Sequence, residues 1–252
     1  MRLKDKAAFV TGGARGIGRA IAVALAEEGA DVAIFSRTQS ELDATASAIS
    51  ALGRKAVPLI LDVTKADEIQ SAFDHVVGEL GCLDILVNNA GGLPYELYAA
   101  YPADAEGIVP TWQFTEDAWD VILNANLKSV FLCTQAAFRY MADSGGGEII
   151  NIASAAGHGR ATTGGAYAVA KRGVIALTEV FAHEGREFGI RVNAVSPGEV
   201  TTPGHTRFMK EILGIDEDKL PPRQPPENVA KAVLYLLCDA PAEMRGQSIL
   251  QF

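Results

Sequence analysis

The sequence predicts an α/β fold: a single doubly wound parallel sheet with helices on both faces, in one domain spanning residues 1–252. Three observations predict it. Short runs of branched and aromatic apolar residues recur along the chain, each followed by a stretch of helical periodicity. The first run opens into a glycine-rich turn that leads directly into a helix. No shift in composition divides the chain into parts.

Taken in order, Lys6 to Thr11 reads as the first strand. It ends in Thr11-Gly12-Gly13-Ala14-Arg15-Gly16-Ile17-Gly18, then an amphipathic helix from Arg19 to Glu28 stops at Gly29. Val32 to Phe35 is the second strand, completing a right-handed βαβ unit. The alternation continues with a helix from about Ser40 to Ala51, a strand Ala56 to Leu61 and a helix Ala66 to Glu79. Strand Ile85 to Asn88 opens into Asn88-Asn89-Ala90-Gly91, and after a long excursion a helix runs from Glu116 to Met141. Strand Ile149 to Ile152 follows, then a helix from near Gly164 to about Glu187, strand Arg191 to Val195, and a last helix over about Glu227 to Cys238.

Ligands of such sheets bind outside the carboxyl ends of the strands. The Gly12 turn, Asp62, Asn89 to Gly91, Ser154 and Pro197 all fall there. Glycines between a strand and a helix let a phosphate-bearing ligand approach the backbone, and the helix N-terminus offers free N–H groups. That points to a dinucleotide. Sites for NAD usually place an acid at the end of the second strand to hold the ribose 2′-hydroxyl. Here the stretch is Phe35-Ser36-Arg37-Thr38, without an acid. Arg37 can pair with a 2′-phosphate and lie against the adenine, and Arg15, a cation at a helix start, calls for a nearby anion. The expected cofactor is NADP(H) rather than NAD(H); the rival reading leaves both arginines as solvated surface residues.

Ser154 ends the Ile149–Ile152 run, and Tyr167 and Lys171, four residues apart, share one helix face. A hydroxyl, a phenol and an ammonium brought together can move a proton to or from an alcohol or carbonyl. A tyrosine near its ordinary pKa of about 10 needs help to act as a base, and a neighbouring cation supplies it. By itself the Tyr-x-x-x-Lys pair is what many amphipathic helices carry; its place at the ligand-binding edge makes it a candidate.

Composition narrows the alternatives. With 48% hydrophobic residues the chain has ample material for a core, and a net charge of −9 disfavours nucleic acid or an anionic membrane as a partner. The start lacks the apolar stretch of a signal peptide, and no uninterrupted apolar run approaches membrane-spanning length, so a cytoplasmic location is expected. Three distant cysteines form no framework or metal spacing. His183-Glu184 has Glu187 where a zinc-protease helix needs its second histidine, so no metal site is expected.

The chain resembles the short-chain dehydrogenase/reductase family along nearly its whole length. The matching motifs are Thr11-Gly12-x-x-x-Gly16-x-Gly18, Asn88-Asn89-Ala90-Gly91, Asn126, Ser154, Tyr167-x-x-x-Lys171 and Pro197-Gly198. The resemblance implies a Rossmann fold and an NAD(P)-dependent oxidoreductase similar to 3-oxoacyl-[acyl-carrier-protein] reductases. It implies that Tyr167 is the general acid/base and that Lys171 lowers its pKa and bonds the nicotinamide ribose. By the same resemblance Ser154 orients the substrate oxygen and Asn126 anchors a water relaying protons to Lys171. Gly12, Gly16, Ile17 and Gly18 of the turn, with Arg15, Ser36 and Arg37 on the NADP(H)-favouring side, complete the expected cofactor-binding residues. Asp62 and Val63 would hold the adenine, Asn89, Ala90 and Gly91 the adenosine ribose, and Pro197, Gly198, Val200 and Thr202 the nicotinamide carboxamide. It implies a homo-oligomer, tetramer or dimer, and a small carbonyl or alcohol substrate.

Two stretches depart from the family pattern. After Gly246-Gln247 the sequence closes on Ser248-Ile249-Leu250-Gln251-Phe252 instead of a glycine-rich tail, which puts one subunit contact of the usual tetramer in question. The excursion between Gly91 and Asn126 is longer than usual by roughly a dozen residues. It is rich in aromatics and acids, and either walls the substrate pocket or ornaments the surface. Beyond it, the loop His205 to Arg223 is expected to close over the substrate, with Phe208, Met209, Ile212 and Leu213 against an apolar substrate or forming one buried helix face. His158 and Glu199 are further pocket candidates.

Rival functions remain distinguishable. Within the same class a sugar, polyol or cyclic-ketone dehydrogenase, preferring NAD(H), competes with a 3-oxoacyl thioester reductase. A non-catalytic dinucleotide-binding regulator would keep the fold without turnover. An epimerase or dehydratase would return its cofactor unchanged, and such relatives usually carry a longer C-terminal substrate region.

Overall fold

The computed structural model describes residues 1–93, 95–101, 109–159, 165–207, 210 and 223–251. Seven parallel strands form one sheet in the order β3-β2-β1-β4-β5-β6-β7. They are β1 (Ala7–Thr11), β2 (Asp31–Ser36), β3 (Ala56–Ile60), β4 (Ile85–Asn88), β5 (Gly147–Ile152), β6 (Ile190–Pro197) and β7 (Ser248–Gln251). The order reverses between β1 and β4, and there the crevice for a ligand opens. Central strands are buried on both faces, which is why they read as unbroken apolar runs: all five residues of β1 and all eight of β6 are buried.

Helices α1 (Gly16–Glu27) and α2 (Gln39–Ala51) cover one face together with α9 (Pro226–Cys238), through Ile21, Leu25, Leu42, Ile49 and Val233. The other face is covered by α3 (Ala66–Leu80), α6 (Ser129–Ser144) and α7 (Gly165–Glu184), with Phe73, Ala137, Met141 and Phe181 buried or nearly so. Phe9, Phe35 and Phe73 meet there with ring centroids 5.2–5.9 Å apart. Each such ring, fully buried, contributes about 1.5–3 kcal/mol. Short helices α4 (Tyr95–Tyr98), α5 (Glu116–Leu123) and α8 (Pro203–Arg207) complete the α-helices among the described residues.

The expected elements are present, with ends shifted by a few residues. Three features were not foreseen. The helix after the excursion is broken at Asn124–Lys128 by a π turn. The helix after Tyr167 ends at Glu184 and continues as a 3₁₀ turn over Gly185–Phe188. Strand β7 pairs in parallel with β6 from Ala194↔Ser248 to Pro197↔Gln251. The stretch Glu116–Ser144 is long and apolar enough to cross a membrane by length and composition alone. Its Ile122, Val130, Cys133, Ala137 and Met141 are buried within the fold, as in a core helix.

Candidate active site

Each strand delivers its site residues at the carboxyl edge of the sheet. At β1 the turn begins with Gly12 at φ +63°, a conformation that a Cβ would strain. Gly18 is held more tightly still: a Cβ there would lie 2.1 Å from the Gly12 carbonyl oxygen. Helix α1 therefore starts against the turn itself, bringing its free N–H groups to the strand end. The Asn89 side chain fastens the turn, donating to the carbonyls of Thr11 and Gly12 at 3.0 and 3.1 Å. The Thr11 hydroxyl accepts the N–H groups of Asn89 and Ala90 at 2.9 and 3.0 Å. Asn89 is thus a clasp between β1 and β4 as well as a candidate ribose contact.

The loop after β6 closes over the same turn. Val200 is buried, Gly198 donates to the Gln251 carbonyl at 2.6 Å, and a Cβ on Gly16 would touch Thr202 at 3.4 Å. Ile17 packs against the α1 core, half-buried. On the other side Ser36 ends β2, and Arg37 is exposed close enough to Asp62 to favour its ionised form. Burial pushes the Asp62 carboxyl up, but hydrogen bonds from the Thr64 N–H and hydroxyl, with Arg37 and Lys65, hold it below its ordinary value. Val63 lies half-buried beside it. Arg15 has an anion, as its position requires: its guanidinium meets Glu41 at 3.4 Å, largely exposed.

These residues fit a dinucleotide. The glycine cradle has no room for side chains, a helix N-terminus faces it, and a cation–carboxylate pair stands where an adenosine end would lie.

Ser154 follows β5 in extended conformation, its hydroxyl capping the 3₁₀ turn Ala155–His158 by accepting the Ala156 N–H at 3.2 Å. Tyr167 and Lys171 rise from α7, one turn apart. The Lys171 ammonium is buried, donates to the Ile152 carbonyl at 2.9 Å, and lies 5.7 Å from the centre of the Tyr167 ring. Hydroxyl, phenol and ammonium are brought together as expected. Their electrostatics differ from expectation. Burial dominates both charged forms, raising the Tyr167 phenol above its ordinary value against an opposing hydrogen bond from Ser154. The same burial brings Lys171 down to about 8. A neutral phenol is the form that donates a proton.

Asn126 sits in the π turn, a helical defect often found at functional sites. Its Nδ2 donates to the Gly92 and Ile122 carbonyls and its Oδ1 accepts the Gly92 N–H at 2.8 Å, so it fixes the loop leaving β4, including Gly91. His158 turns to the sheet edge, with Nε2 3.1 Å from Ser196 Oγ and 3.3 Å from Ser248 Oγ. Glu199 is 62% exposed and pairs with Arg223 at 3.0 Å, while the main chains of Val200 and Gln224 bridge. The base of the loop from His205 to Arg223 is therefore clamped; Phe208, Met209, Ile212 and Leu213 lie outside the described residues. The residue that sequence reasoning missed is Tyr98, buried in a cluster against which the half-buried Tyr167 packs. Its only sequence signal was the aromatic richness of the excursion. Among the described residues no group of His, Cys, Asp or Glu is arranged to hold a metal.

A parallel sheet with a glycine cradle at its switch point and a Ser-Tyr-Lys group around a buried ammonium defines a dinucleotide-dependent oxidoreductase. The short chain dehydrogenase family profile matches residues 6–212. The chain is 34% identical over 251 residues to the 3-oxoacyl-[acyl-carrier-protein] reductase FabG of Thermotoga maritima, covering 99% of this chain and 97% of that one. It is 34% identical over 257 residues to the (2S)-[(R)-hydroxy(phenyl)methyl]succinyl-CoA dehydrogenase subunit BbsD of Thauera aromatica, covering 98% and 95%. Carveol dehydrogenase from Mycobacterium avium, solved in complex with NAD, superposes with a TM-score of 0.86 at 30% identity, covering 99% and 96%. The chain belongs to the short-chain dehydrogenase/reductase family and is an NAD(P)-dependent oxidoreductase.

Proposed function

We propose that this protein interconverts a secondary alcohol and a ketone with NADP(H), Tyr167 acting as general acid/base. The observation that carries this reading is the meeting of half-buried Ser154 and Tyr167 with the buried Lys171 at the carboxyl edge of the sheet. The nicotinamide supplies or accepts the hydride. In reduction Ser154 orients the substrate oxygen and Tyr167 gives it a proton. Lys171, protonated below about pH 8, stabilises the phenolate left behind. Asn126 fixes the turn from which water relays the proton onward.

The fit to NADP(H) rests on Arg37. It is exposed at the end of β2, close enough to Asp62 to favour that carboxylate, and no acid stands in Ser36-Arg37-Thr38. Arg37→Asp is expected to weaken NADPH at least tenfold more than NADH in a fluorescence titration; equal loss of both rejects the 2′-phosphate role. Gly12, Arg15, Gly16, Ile17, Gly18, Ser36, Asp62, Val63, Asn89, Ala90, Gly91, Pro197, Gly198, Val200 and Thr202 keep the cofactor contacts described above.

For the substrate we favour a 3-oxoacyl thioester, because FabG and BbsD carry acyl-carrier and CoA names. A cyclic alcohol, as the name carveol dehydrogenase suggests, is the second reading. A screen with acetoacetyl-CoA, cyclic ketones and polyols, read by absorbance with both cofactors, decides. Fastest oxidation of NADPH by acetoacetyl-CoA is the expected result. Turnover of none of them favours a non-catalytic regulator.

A cytoplasmic homo-oligomer is part of the same reading. Val121, Phe131, Val169 and Val180 are exposed on α5, α6 and α7 at 39–52%. We assign the subunit contact to these exposed side chains. Phe131→Glu with Val180→Glu is expected to convert an oligomer to a monomer in sedimentation; an unchanged species places the contact elsewhere.

A further inference from the structure

We propose that Arg223 is a positioning residue for the nicotinamide end of the cofactor, gripping the chain on both sides of Thr202. This rests on the reading that Pro197, Gly198, Val200 and Thr202 seat the nicotinamide carboxamide. The segment that leaves β6 after Pro197 is held by main chain along both edges. On one side the Gly198 N–H donates to the Gln251 carbonyl at 2.6 Å, extending the pairing of β6 with β7. On the other the Thr201 N–H donates to the Gln224 carbonyl at 3.0 Å, and the Gln224 N–H to the Glu199 carbonyl at 3.2 Å. Val200 bridges to Gln224 between them, so Arg223 is brought beside the segment by the register of its neighbour.

The guanidinium then spans the turn. Its Nε donates to Glu199 Oε2 at 3.0 Å and its Nη1 to His205 Nδ1 at 2.7 Å. Thr202 lies midway between those two partners in the chain. Its hydroxyl accepts the His205 N–H at 3.3 Å, and its carbonyl accepts the Thr206 N–H at 2.9 Å as α8 begins. Its methyl faces the glycine turn, 3.4 Å from where a Cβ on Gly16 would stand. Arg223 therefore fixes both flanks of a residue that packs on the cofactor cradle. Its side chain is 6% exposed against 62% for Glu199, so the carboxylate is screened and the contact with His205 matters more. A guanidinium only donates, so His205 Nδ1 accepts and the ring is neutral. Burial of His205, with Arg223 beside it, favours that form against the opposing pull of Glu199. A lysine could not replace the planar fork that meets two partners at once.

Holding a binding segment in its bound shape adds affinity without a new contact to the ligand. Arg223→Met is expected to weaken NADPH about tenfold in calorimetric titration, while 2′-phospho-ADP-ribose, the cofactor without its nicotinamide, stays within about twofold. With acetoacetyl-CoA, kcat is expected to fall about tenfold as the nicotinamide loses its placement, with KM for the thioester within about threefold. His205→Asn keeps an acceptor near the place of Nδ1 and is expected to match the wild type. His205→Leu is expected to reproduce the loss of NADPH affinity, and the two losses should not add in Arg223→Met with His205→Leu. Unchanged NADPH affinity in Arg223→Met overturns the inference and leaves the cofactor reading intact. Equal weakening of NADPH and 2′-phospho-ADP-ribose, with a lowered melting temperature and no difference between Asn and Leu at position 205, also overturns it, reducing Arg223 to scaffold. A wild type that takes NADH in place of NADPH removes the 2′-phosphate role alone, and NADH with ADP-ribose then makes the same comparison. Binding of neither cofactor removes the reading beneath the inference, and the inference with it.

Discussion

Tyr167→Phe is expected to lower kcat by about a thousandfold while leaving NADPH affinity within about threefold. General acid/base groups contribute typically 10²–10⁴ in rate, and nothing else among the described residues of this site can donate a proton from the position of the phenol. Phenylalanine keeps the ring, so the cluster with Tyr98, Ile122 and Ala166 retains its packing. The Ser154 hydroxyl loses one partner but still accepts the Ala156 N–H, so folding stability should change little. A variant that binds NADPH and stalls separates chemistry from cofactor binding. A variant that keeps turning over would mean that another group carries the proton, and the site would have to be rebuilt around it.

The layout of this site was readable in one dimension because its residues fall at the ends of strands. Each buried strand is a run of branched apolar residues, and the residue after each run is delivered to the same edge. The glycines were legible for a different reason. Only a residue without a Cβ tolerates a carbonyl as close as Gly12 comes to Gly18. Strand β7 escaped because it is four residues long, half-buried throughout and paired on one side only, leaving little pattern to detect. The π turn at Asn124–Lys128 escaped because apolar residues continue on both sides of it. The packing of Tyr98 with Tyr167 spans 69 positions and depends on how the excursion folds. Most instructive is the sign of the Tyr167 shift. The sequence shows a cation one turn away, but not the desolvation that raises the phenol against the Ser154 hydroxyl.

That burial makes Lys171 a stability liability with a defined pH window. Its ammonium titrates at about 8 in the folded protein against an ordinary 10.5. Below about pH 8 both folded and unfolded chains hold the proton, and the folded state bears the full cost of a buried charge. Between about 8 and 10.5 the unfolded chain still binds the proton and the folded one does not, so stability rises with pH across this window. The buried charge costs about 3 kcal/mol. Against it stands the hydrogen bond to the Ile152 carbonyl, whose loss costs about 1–3 kcal/mol. Lys171→Met keeps the length of the side chain and removes the charge. At pH 7 it is expected to match or exceed the wild type in denaturant unfolding, by up to about 2 kcal/mol, with the advantage shrinking as pH rises past 8 and gone by about 10.5. The rise in Tyr167 acts in the opposite sense above pH 10 and is common to both proteins, so it cancels in the difference. Turnover should fall at least a hundredfold in the same variant, because the phenolate left by proton donation loses its cation. A pH-independent stability difference would show that the ammonium is solvated in the folded protein. A stabilised variant that is also inactive would show why the charge is kept: it stabilises the phenolate at a cost to the fold.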